Sequence, residues 1–209
     1  MRDIPPAFSV LGGSAEGPVL ALSEGLSLWG GVDAATGRII DVHHPQLGAD
    51  MSCAIVMMPT TRGSCSGSGV LLELALAGKA PAALVFSEPE DVATLGALVA
   101  SEMFGRAIPV LRLSQPAFAA LAACPRAAIT TDSIRADGLS IPVAPLPATT
   151  LALSAGDLAM LAGDEGEAAC QAMRIVVAMA RQQGAADLID VDRAHIDGCI
   201  YAGPANLVF

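Results

Sequence analysis

Between residues 60 and 69 the chain reads Thr-Thr-Arg-Gly-Ser-Cys-Ser-Gly-Ser-Gly. Within it, residues 62–68 hold one guanidinium, three hydroxyls and one thiol. Small side chains let backbone N–H groups approach a ligand, and a following helix would turn its N-terminus toward bound negative charge. Arg62 adds a planar fork that matches a carboxylate. The spacing is not the phosphate-binding G-x-x-x-x-G-K-[ST] loop, nor a G-x-S-x-G nucleophile elbow. The residue types leave two readings open: a site for a small anionic ligand, or a Ser-rich turn that caps a helix.

Other chemistry-bearing residues are sparser. His43 and His44 precede Pro45 and follow Asp41. Neighbours on a strand point to opposite faces, and no partner stands at metal-ligand spacing, so a surface or strand-end role is expected. Gly30-Gly31-Val32-Asp33 reads as a tight turn. Cys65 would sit at a helix start, where thiolates are favoured, but has no fixed partner. Cys170 and Cys199 read as packing residues. His195, two residues before Asp197, falls in a loop after a strand and is open between a site and a structural role. The five cysteines form no C-x-x-C pair and no metal-type cluster. Scattered, odd-numbered thiols fit a reducing cytoplasm.

The elements that must position these residues follow from hydrophobic pattern. Strands are expected over 7–11 and 18–22, across a Gly12-Gly13-Ser14 turn, and over 38–42, ended by Pro45. The apolar run 53–58, closed by Pro59, suits a buried strand. The 60–69 segment would then be a loop, with helices over 70–77, 90–101 and 116–123 and strands over 83–86, 109–113 and 127–131. Alternating strands and helices predict an α/β layer with a partly parallel sheet. Three prolines in 141–150 predict an extended linker. Beyond it, a helix is expected over 165–183, stopped by Gly184, and a strand over 188–191. The apolar run at residues 206–209 reads as interrupted.

Composition narrows the function. The 209 residues are 53% hydrophobic but only 3% aromatic, so aliphatic side chains fill the core. The formal charge of −10 opposes binding to a phosphate backbone, and few aromatics are available to stack on bases, which excludes nucleic acid. No stretch of about 18 apolar residues free of charge is present, so no transmembrane helix is expected. The N-terminus, with Asp3 and a Pro5-Pro6 pair, is not a signal peptide.

In order along the chain, Gly30-Gly31-Val32-Asp33, the run from Thr36 to Asp41, His44-Pro45 and Gly48, the run from Arg62 to Ser68, Ala80-Pro81-Ala82-Ala83 and Ile108-Pro109-Val110 resemble the small subunit of the aconitase X family. Residues 158–166, Ala172-Met173, Gly184-Ala185-Ala186 and the run from Ala194 to Gly198 resemble the start of that family's large subunit. The resemblance implies a swivelling β/β/α domain over 1–145, then a linker and a truncated α/β fragment of the catalytic domain over 146–209. It implies a hydro-lyase acting on a small hydroxy acid, such as cis-3-hydroxy-L-proline going to Δ1-pyrroline-2-carboxylate. Alternatives are a phosphomevalonate dehydratase small-subunit role, or an incomplete module that binds a ligand or a large-subunit partner without turnover. Ser64, directly after Gly63, would be the proton acceptor, with substrate contacts from Arg62, Gly63, Ser66, Gly31, Val32 and His195. Cys65 stands where many relatives have Ser or Thr. An iron–sulfur centre is implied for the complete enzyme, with ligands outside this chain and none bound by the chain alone. The implied partner is the large catalytic domain or subunit.

Overall fold

The computed structural model describes residues 5–145. The expected elements within 146–209, and His195 with them, lie outside the described residues.

The chain begins with strands β1 (Ala7–Leu11) and β2 (Ala15–Ala21), then a two-residue strand β3 (Leu26–Ser27) and a kinked turn α1 (Leu28–Gly31). A small ribbon of β4 (Val32–Asp33) and β5 (Arg38–Ile39) follows. Strand β6 (Ile55–Met58) leads through β7 (Thr61–Arg62) into helix α2 (Ser66–Leu76). Then come β8 (Ala83–Phe86), α3 (Val92–Phe104), β9 (Val110–Arg112) and α4 (Gln115–Ala122). Strands β10 (Arg126–Ile129), β11 (Ser133–Ala136) and β12 (Leu139–Pro145) end the described part.

Eight strands close a barrel in the order β1-β12-β11-β10-β2-β6-β8-β9. The run β2-β6-β8-β9 is parallel, as strand–helix–strand crossovers require, while β10 joins β2 and β11 antiparallel. β6 and β8 are buried at every position. Ile55, Met57, Ala83 and Val85 join Leu111, Ile129, Ile134 and Ile141 in one core cluster, which Ala117 and Leu121 of α4 also enter. Strand alternation turns Val56, Met58, Leu84 and Phe86 to the opposite face, where they are buried as well. Both faces being covered explains why these strands read as continuous apolar runs.

Four expectations are corrected. The strand expected over 38–42 stops at Ile39, because the Asp41 carboxylate and carbonyl accept the His43 and His44 N–H groups and turn the chain. The helix expected from residue 70 starts at Ser66, so the last four residues of the expected loop are its first turn. The helix expected over 90–101 spans Val92–Phe104, ending at Gly105 in the left-handed region. Residues 141–145 are not linker but most of β12, which pairs antiparallel with β11 and parallel with β1. Its hairpin turn is Asp137-Gly138, both at positive φ, the chemistry a two-residue turn requires. Among the described residues no helix is long and apolar enough to cross a membrane.

Candidate active site

The residues 62–66 emerge at the surface where β6 ends. Pro59 breaks the barrel ladder, and the chain then pairs sideways: Thr61 lies opposite Leu26 and Arg62 opposite Ser27 in a parallel two-strand ladder. This ladder brings the segment 24–32 beside the 62–66 turn.

Gly63 makes the turn possible. Its φ is +95°, a conformation side chains rarely adopt, and a Cβ there would lie 2.8 Å from Ser27 Oγ. Gly25 allows the second close approach: a Cβ there would lie 2.6 Å from the Thr60 carbonyl and 3.1 Å from Arg62 Cγ. Arg62 is exposed and pairs with Glu24, Nη2 to Oε2 at 3.1 Å.

Ser64 follows, exposed, just ahead of α2. The Ser66 N–H donates to Ser64 Oγ at 3.4 Å, long for an N–H···O bond. The Ser64 carbonyl accepts the Gly67 N–H, and the Cys65 carbonyl accepts both the N–H and the hydroxyl of Ser68. The Ser64 hydroxyl therefore sits at the positive end of an eleven-residue helix, facing solvent, with only a weak hold from the chain. Cys65 caps the helix by backbone position alone and is also exposed. Ser66 and Ser68 are helical residues rather than loop residues.

Gly31 and Val32 are buried on the other side of the ladder. The Gly31 carbonyl accepts the N–H groups of Ile40 and Asp41, and the Ser27 hydroxyl donates to the Trp29 carbonyl. Leu28 reaches Gly67, where a Cβ would lie 3.6 Å from Leu28 Cβ, so the 28–32 turn packs on the start of α2. Asp33 holds the next turn: the Thr36 hydroxyl, then the Ala35 N–H, bind its carboxylate and lower its pKa. His43 is exposed, but His44 is buried, its Nδ1 accepting the Gln46 N–H and its Nε2 without a partner.

The structure thus gathers Arg62, Gly63, Ser64 and Ser66 at one helix start; Gly31 approaches Ser27, the ladder partner of Arg62, and Val32 pairs with Ile39 in the neighbouring ribbon. Sequence reasoning missed Glu24, Gly25 and Ser27. A Ser-Glu-Gly run after a strand carries the ordinary signature of a turn, and only the β3–β7 pairing shows what it supports. Among the described residues no three His, Cys, Asp or Glu side chains are placed to hold a metal ion. Cys53, Cys65 and Cys124 are free. This set does not fit an iron–sulfur centre, whose irons need convergent thiolates.

The chain is similar to several known proteins. The chain is 47% identical over 208 residues to a cis-3-hydroxy-L-proline dehydratase of Hypocrea jecorina, covering 94% of this chain and 35% of that protein. It is 40% identical over 88 residues to the phosphomevalonate dehydratase small subunit of Methanothermobacter thermautotrophicus, covering 42% of this chain and 67% of that one. A solution NMR structure of a UPF0107 protein matches with a TM-score of 0.54 at 26% identity, covering 63% of this chain and 97% of that one. The chain spans only 35–36% of the length of the dehydratases it matches. A family model described as the aconitase X swivel domain matches residues 6–136, and one described as the aconitase X first domain matches residues 150–209. With the first of these covering more than half its length, the chain belongs to the aconitase X family.

Proposed function

We propose that this chain supplies the proton-accepting turn of a hydro-lyase that dehydrates cis-3-hydroxy-L-proline to Δ1-pyrroline-2-carboxylate. The observation that carries the reading is the Arg62-Gly63-Ser64 turn, held open by Gly63 against Ser27, in a chain 47% identical to a dehydratase of that substrate.

Dehydration removes the proton on C2, α to the carboxylate, and the hydroxyl on C3. The C2–H electron pair forms the C2=C3 bond as hydroxide leaves; the proton taken from C2, released when the base is regenerated, balances the hydroxide as water. The resulting enamine then moves a proton from nitrogen to C3 and becomes the cyclic imine. Ser64 Oγ takes the C2 proton. A free serine hydroxyl is a poor base, so its alkoxide needs compensating charge. The Ser66 N–H, pointing at Ser64 Oγ, and the N-terminus of α2 supply part of it. Arg62 takes the substrate carboxylate, its fork matching two oxygens while Glu24 fixes the guanidinium. Gly63 offers a backbone N–H group to the substrate, the Ser66 N–H stays on Ser64 Oγ, and Gly31 and Val32 belong to the neighbouring turn. His195 contributes a substrate contact from the segment beyond the described residues.

The domain boundary in this reading follows Pro145, where β12 ends, with residues 146–209 opening the large catalytic part. The iron–sulfur centre belongs to that large part. The free thiols among the described residues support a reducing, cytoplasmic setting. A second reading, a small-subunit role in a phosphomevalonate dehydratase, is supported by the 40% identity over 88 residues to such a subunit. The deciding experiment incubates the complete enzyme with each substrate and follows imine formation from cis-3-hydroxy-L-proline with o-aminobenzaldehyde. Turnover of the proline that Ser64→Ala abolishes supports the first reading. Turnover of phosphomevalonate alone replaces it with the second.

A further inference from the structure

Glu90 is a buried carboxylate, only 9% exposed, and among the described residues no cation pairs with it. A buried carboxylate is costly unless its oxygens are hydrogen-bonded. Oε1 accepts the Ala93 N–H at 2.7 Å and the Thr61 hydroxyl at 2.6 Å. Oε2 accepts the Thr94 N–H at 2.9 Å, and the Thr94 hydroxyl lies 2.9 Å from it.

The two backbone donors are local and satisfy free N–H groups at the start of α3. Capping the helix needs nothing more. The Thr61 bond is different: it joins residues 29 apart and reaches into β7, one residue before Arg62 and three before Ser64. The stem below it is clamped by the same segment. The Pro59 carbonyl accepts the Ser87 and Glu88 N–H groups, and the Thr60 hydroxyl donates to the Pro89 carbonyl. Glu90 is the buried end of this clasp, the last tie before the chain enters the exposed turn.

We infer that Glu90 is a positioning residue, holding the 62–64 turn in register through the Thr61 hydroxyl. Its catalytic consequence rests on the reading of Ser64 as the proton acceptor. Misplacing a base by about 1 Å can cost roughly a hundredfold in rate, so a tie this close to the turn acts on kcat.

The test uses Thr61→Val, which keeps the shape and removes the donor while leaving the Glu90 cap on α3, and Thr61→Ser, which restores the hydroxyl. Hydrogen–deuterium exchange on the 209-residue chain is read over residues 59–68 and over the first turn of α3. Turnover of cis-3-hydroxy-L-proline is read on the complete enzyme. Thr61→Val is expected to raise exchange in 62–66 and leave the α3 start protected. It should lower kcat about tenfold to a hundredfold with KM within about threefold, and Thr61→Ser should recover both readouts. Unchanged exchange in Thr61→Val overturns the inference, as does loosened exchange with unchanged kcat, or failure of Thr61→Ser to recover. If the wild-type enzyme does not turn over the proline, the proposed function fails instead, and exchange alone decides the role of Glu90.

Discussion

Gly63 and Ser27 meet so closely that the site turn has no room for a side chain: a Cβ on Gly63 would lie 2.8 Å from Ser27 Oγ, at a φ of +95°. Ser27 is the ladder partner of Arg62, and its hydroxyl donates to the Trp29 carbonyl. One glycine therefore joins the turn carrying Ser64 to the turn carrying Gly31.

Gly63→Ala combines two penalties. A non-glycine residue on the left-handed side costs about 1–2 kcal/mol, and the new methyl displaces the Ser27 hydroxyl from its acceptor. Adding Ser27→Ala removes the collision but not the backbone strain. Calorimetry should show the double variant recovering only part of the lost stability, and activity of the complete enzyme should stay low in both.

Ser64→Ala should lower kcat and kcat/KM together by at least about a hundredfold, the low end for a missing general base. Because the Ser66 N–H approaches Ser64 Oγ only to 3.4 Å, the lost capping bond should cost less than the ~1 kcal/mol of a well-formed cap. Cys65→Ser and Ser66→Ala should be milder. A chain that keeps more than a tenth of its activity but loses a full cap's stability would make Ser64 a capping residue.

Arg62→Lys keeps the charge and loses the fork. The expected result is a KM for the hydroxy acid raised about tenfold with a smaller change in kcat, measured by initial rates. Glu24→Gln should shift unfolding by less than about 1 kcal/mol, because both partners are exposed and such pairs contribute little.

Burial first, and the Asp137 charge second, push the Cys124 thiol above the ordinary value. Alkylation requires thiolate, so peptide mapping at neutral pH should find the exposed Cys65 and Cys53 labelled before Cys124. The folded state keeps the Cys124 proton more tightly than the unfolded chain. Its contribution to stability is therefore present below the unfolded thiol's pKa and lost as pH rises toward the folded one. Asp137→Asn should make labelling of Cys124 begin at lower pH.

The sequence by itself determined the strands β6 and β8, the α/β class and a turn beginning at Arg62 ahead of a helix. Continuous apolar runs bounded by prolines are expected to be buried, and the Gly- and Ser-rich residues after Arg62 mark a tight turn, open between a ligand site and a helix cap. The prolines of 141–150 predict a linker, yet residues 141–145 form most of β12, which the positive-φ pair Asp137-Gly138 turns back onto β11. Two prolines sit within β12, and its pairing with β1, at the far end of the described chain, is a long-range fact that no local propensity encodes. The same limit hid Glu24, Ser27 and Glu90. Each is unexceptional in its own stretch of sequence and acquires its contact only when folding sets it against residues 61–63. Spacing along the chain determined which groups could do chemistry; tertiary pairing decided which of them meet, because contact energy depends on distance in space and not on separation in sequence.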